Sequence, residues 1–86
     1  MTDYHVELWD PKNPIDLGII NIIEGEDLYE KTIQRAINLF GSESALVTHF
    51  VTHYKTVWGA IFPLNSARNI VKYAAEWHVV KEKNND

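Results

Sequence analysis

The chain has 86 residues, of which 45% are apolar and ten aromatic, and no cysteine. That composition excludes a disordered chain, a disulfide framework, thiolate zinc sites and cysteine nucleophiles, and it bounds the protein to one small domain. The net charge of −4 conceals an uneven layout, because residues 1–30 hold eight carboxylates against Lys12 alone, while residues 31–81 carry six cationic side chains against Glu43 and Glu76. Such a layout either pairs the two halves within the fold or offers an acidic face to a basic partner.

Residues 4–9, YHVELW, alternate. Tyr4, Val6 and Leu8 share one side and His5, Glu7 and Trp9 the other, which predicts a strand. The stretch DPKNP is dense in turn formers, and IDLGIINII follows with β-branched residues on both sides. Together they predict a β-hairpin with a loop longer than two residues. The two-sided apolarity of the second strand calls for cover on both faces, from helices on one and from a second copy on the other.

A helix is predicted over about 27–40. Asp27 and Glu30 have capping-box spacing, and Leu28, Tyr29, Ile33, Ala36, Ile37, Leu39 and Phe40 gather on one half of the circumference. Gly41 stands where a helix C-terminus needs a left-handed residue. The next stretch, ALVTHFVTHYKTVW, carries two Val-Thr-His copies and sorts poorly at a period of two. At the helical period Leu46, Phe50 and Tyr54 line up with Val47, Val51 and Trp58, predicting a second helix over 43–62 capped by Ser42 or Ser44. A third helix is expected over 66–80, capped by Asn65 or Ser66. Ala67, Ile70, Val71, Ala74 and Trp77 form its apolar face, and Lys72 and Glu76 an i, i+4 pair. The expected architecture is α+β: a hairpin and three amphipathic helices in one domain over 1–81, with a frayed charged tail at 82–86.

The chemistry-bearing motifs are few. His49 and His53 have the i, i+4 spacing of helical zinc sites, but the Glu that metalloproteases place after the first His is replaced by Phe50. A third ligand would have to come from His5, His78 or an N-terminal carboxylate, and a boundary position between apolar and polar arcs explains both histidines without metal. His78 falls on the predicted apolar face of the third helix, as a core or interface histidine. The acidic run EGEDLYE suits a helix N-terminus. No phosphate-cradling glycine loop, calcium loop or nucleophile elbow occurs, so no catalytic residue and no cofactor is expected. Arg68, Asn69 and Lys72 are the residues a helix-turn-helix would present to DNA, and an acidic chain argues against that use.

The expected function is a non-enzymatic protein-binding module, an adaptor or an inhibitor of, for example, a nucleic-acid-processing enzyme. It is expected to self-associate through the hairpin. Trp9, Glu7, Ile20, Glu24, Glu26 and Asp27 are the expected partner-binding residues. The alternatives are a DNA binder and a His/carboxylate metal-binding protein. With no secretory leader pattern and no apolar run near the ~20 residues of a membrane span, a cytoplasmic location is expected.

Overall fold

The computed structural model describes residues 1–10, 13–54 and 65–82, with side chains at all of these except 53, 54, 81 and 82. The elements run β1 (Thr2–Leu8), β2 (Ile15–Ile22), α1 (Leu28–Phe40), α2 (Glu43–Tyr54), α3 (Ala67–Ala74) and β3 (Ala75–Glu82). The three strands form one antiparallel sheet in the order β2-β1-β3, so the first strand is central and the last returns to its free edge. Among the described residues the helices pack on one face of the sheet. Among the described residues no helix is long and apolar enough to cross a membrane.

The alternation of β1 explains its place. Val6 and Leu8 are fully buried and Tyr4 packs against them, while Asp3, His5 and Glu7 point to the other side. β2 faces a harder problem, since its apolar residues change parity at Gly18. The register with β1 slips there, with Val6 opposite Gly18 but Glu7 opposite Asp16, so Leu17 bulges out of the ladder. The bulge lets Leu17 and Ile20 both reach the core. Gly18 adopts φ +81°, a conformation that suits glycine. The Arg35 guanidinium donates to the Leu17 carbonyl at 2.8 Å and so satisfies the backbone that the bulge frees.

The helix ends follow the sequence closely. Asp27 caps α1 by accepting from the backbone N–H of Tyr29 and Glu30, and Gly41 closes it at φ +96°. Only half of the expected capping box forms, because the Glu30 carboxylate turns outward to Arg68. The Ser42 hydroxyl accepts from the Ala45 N–H, and Ser66 caps α3 at Asn69. Glu43, at the start of α2, accepts from the Ala67 N–H at 2.9 Å and ties the beginnings of α2 and α3 together. Leu46 and Phe50 carry α2 into the core beside Ile33, Ala36, Ile70 and Val71. The expected continuation of this helix over 55–62 lies outside the described residues.

The α+β class, the hairpin and the three helices are as expected, but the third helix is half its expected length. It ends at Ala74, and residues 75–82 form β3 instead of a continued helix to 80. The physical reason is the second edge of β1, whose backbone groups need partners. The segment AEWHVVKE also alternates, and its β-branched Val79 and Val80 suit a strand. Trp77 still serves the core, now from a strand: its indole N–H donates to the Thr32 hydroxyl on α1 at 2.8 Å. Thr32 in turn donates to the Leu28 carbonyl, which closes a buried polar chain. The expected Lys72–Glu76 pair is lost, since the two residues sit on different elements; Lys72 lies over the Tyr73 ring instead. The strand runs to Glu82, one residue past the expected domain end, and 83–86 lie outside the described residues.

Candidate functional site

The face of the sheet turned away from the helices is built of register rows. Residues directly opposite each other in a ladder share a face. One row runs Asp16, Glu7, Glu76 across β2, β1 and β3; the next runs Ile19, His5, His78; a third begins with Asn21 and Asp3. Three carboxylates thus stand abreast, backed by two facing imidazoles, and no lysine or arginine occupies either of those two rows. Like charges placed directly opposite are unfavourable, by roughly 0.2–1 kcal/mol a pair.

Part of this charge is balanced locally. Asp16 accepts from the Gly18 N–H at 2.7 Å and pairs with His5 Nε2 at 2.9 Å. The backbone hydrogen bond from Gly18, and then the one from His5, hold its carboxyl below the usual value of 3.8. Glu76 Oε1 lies 3.7 Å from His78 Nε2, two positions along the same strand. Glu7, Glu76 and His78 each bring one ligand atom into a group whose members lie within 4.8 Å of one another. Asn21 reaches across to the Asp3 carboxylate. At the rim stand Ile19, 47% exposed, and Trp9, 36% exposed just beyond β1.

The partner-binding residues expected from sequence are dispersed by the fold. Glu7 lies in the middle of this face and Trp9 at its end. Ile20 does not belong to any surface: it is 1% exposed, and the bulge makes its neighbour Ile19 the outward residue. Glu26 and Asp27 carry local structure at the start of α1. Glu26 accepts from the Ile23 N–H at 2.9 Å and pairs with Lys31 at 3.1 Å, which lower its carboxyl below the usual 4.5. Asp27 is the helix cap, and Glu24 is exposed at the turn beside them.

The other candidate sets are placed less favourably. The His49 ring sits between Phe40 and Phe50, with centroids 5.1 and 5.4 Å away, as a packed aromatic on α2. The His53 side chain lies outside the described part. Arg68 pairs with Glu30 and covers the Tyr29 ring at 5.7 Å, while Asn69 bonds Asn65. The connection that a helix-turn-helix would use, FPLN at 62–65, lies outside the described residues but for Asn65. His78, expected as a core or interface histidine, is exposed on β3 and so is not part of the core.

Sequence reading missed the grouping of His5, Glu7, Glu76 and His78, because it placed the last two on a helix. The signal that points to them is the alternation of Glu76 and His78 with Ala75, Trp77 and Val79, which fits a strand. The chain matches no family model, and no curated protein or solved structure matches it either.

Proposed function

We propose that the protein is a non-enzymatic binding module that docks a basic protein surface through the open face of its sheet, as an adaptor or inhibitor. The observation that supports this reading is the row Asp16, Glu7 and Glu76, three carboxylates abreast beside exposed Ile19. Carboxylates in such a row steer and orient a cationic partner, while an apolar residue at their edge supplies desolvated contact area. An enzyme that processes nucleic acid has a basic substrate groove and is one partner of this chemistry. A cytoplasmic location belongs to the same reading, since a chain without cysteine suits a reducing compartment.

Affinity purification from the native cell tests it with three baits: the wild-type chain, a Glu7→Lys, Ile19→Lys variant, and a Lys72→Glu control on α3. A partner recovered by the wild type and the control, lost with the sheet-face variant and weakened by salt, supports the proposal. Equal recovery by all three baits ends it.

Self-association through the hairpin is a second part of the proposal, supported by Ile19 and Ile23, which are 47% and 45% exposed on and just after β2. Light scattering is expected to show a mass that rises with concentration and returns to the monomer in Ile19→Ser, Ile23→Ser. A monomer at every concentration rejects this part.

A further inference from the structure

The geometry points to a divalent transition-metal site on the open sheet face, with Glu7, Glu76 and His78 as ligands and a zinc-like ion as the occupant. It shares Glu7 and Glu76 with the docking face but is read from the ligand geometry and does not rest on that proposal.

Three observations converge on it. First, the ligand atoms of the three side chains lie within 4.8 Å of one another, and Glu76 Oε1 and His78 Nε2 are already 3.7 Å apart. Ligand atoms around a tetrahedral zinc are about 3.3 Å apart, given bonds of ~2.0–2.1 Å. Closing that gap takes a shift of the ligand atoms of up to about 1.5 Å. Second, the backbone positions are set by the ladder. Glu7 is the direct register partner of Glu76, and Glu76 and His78 are two residues apart on one face of β3. The site therefore rests on two strands, where rigid placement comes from hydrogen-bonded pairing. Third, Asp16, Glu7 and Glu76 stand in one row that contains no lysine or arginine. A bound cation relieves the repulsion within that row.

The neighbouring groups suit this assignment. His5 stands opposite His78 but is held by Asp16 at 2.9 Å, so it borders the site without being needed as a ligand. Three ligands leave a further position for water or for a group from a partner. An imidazole among carboxylates selects zinc, cobalt or nickel over magnesium and calcium, which prefer all-oxygen sets. Because the ligands come from β1 and β3, the ion clips the last strand of the chain to the centre of the sheet. In a domain of this size such a clip adds stability that a small core supplies only sparingly.

Calorimetric titration of the purified, chelator-treated chain with zinc chloride is the test, accompanied by cobalt absorption. One ion per chain is expected. Binding should weaken at least about tenfold, or roughly 1.4 kcal/mol, in Glu76→Gln and in His78→Ala. Binding should be unchanged in His49→Ala, His53→Ala, and excess magnesium should not displace the ion. Amide exchange in β3 should slow when zinc is added. Glu76→Gln is nearly isosteric on an exposed position, and cobalt-induced shifts in the wild-type spectrum locate the ion without any substitution. Shifts centred on β1 and β3 support the site. The proposal is overturned by the absence of saturable binding, by binding indifferent to both ligand substitutions, by equal displacement with magnesium, or by loss in the His49, His53 variant with retention in His78→Ala.

Discussion

The two faces of the sheet are made by the same three strands and do opposite things. β1 turns Tyr4, Val6 and Leu8 toward the helices and Asp3, His5 and Glu7 away from them. β3 repeats the division with Ala75 and Trp77 against Glu76 and His78. On the inner face almost every position is occupied by carbon, and Thr32, the one buried polar residue among the described residues, donates to the Leu28 carbonyl and accepts from the Trp77 indole. On the outer face charge is set against charge at strand spacing. A period of two therefore lets one short strand stabilise the fold with alternate residues and turn the others away from the core. The bulge at Leu17 keeps the division intact in β2, where the apolar residues would otherwise fall on both sides.

Substitutions on the two faces should separate these roles. The largest loss is expected from Leu8→Ala or Phe50→Ala, both fully buried, at about 2–5 kcal/mol. Such a loss is a large part of the total stability of a domain this size and should leave the chain mostly unfolded by circular dichroism near 37 °C. Gly18→Ala comes next at about 1–2 kcal/mol. Its φ of +81° strains any residue with a Cβ, and that atom would come within 3.3 Å of Arg35 Nη1. Denaturant melts that shift in midpoint at constant slope would measure it. Trp77→Phe keeps most of the bulk but removes the donor to Thr32, for about 1 kcal/mol or some 4–8 °C in Tm.

On the outer face the sign should reverse. In metal-free protein Glu7→Gln is expected to stabilise by a few tenths of a kcal/mol, because it removes a like-charge pair with Glu76. In the presence of zinc the same variant should melt below the wild type. If Glu7→Gln destabilises both states equally, the two faces are less distinct than their register implies. The smallest effect is the acid limb of Asp16. Its carboxyl is lowered in the folded chain, so its contribution is complete above the ordinary value of 3.8 and lost as the pH falls below it. Asp16→Ala should therefore lower stability at neutral pH and shallow the decline on acidification, as followed by Tm against pH.

Much of this division is written locally. The alternation of β1, the Asp27 cap, the Gly41 terminus and the Ser66 cap are short-range features, and each appears where its pattern places it. The candidate site was less legible. Trp77 follows Ala74 by three residues and Ala75 by two, so it continues a helical stripe and a strand face equally well. Continuing the helical stripe places Glu76 and His78 on a helix, away from the neighbourhood of Glu7. The inward turn of Ile20 is hidden for a related reason, since nothing local to IDLGIINII marks which residue will bulge.

The sequence by itself determined the class of the fold, the hairpin, the first two helix starts, the caps, and which residues of β1 face the core. These follow from periodicity and terminal hydrogen bonding within a few residues. Tertiary structure alone decided that 75–82 join β1, that Leu17 rather than another residue bulges, and that His78 meets Glu7. Those outcomes depend on a partner far away in sequence: an unpaired strand edge ended the helix at Ala74, and a guanidinium on α1 supports the bulge at the Leu17 carbonyl. A local pattern records which faces a segment can offer, and the backbone groups left unpaired elsewhere select among them.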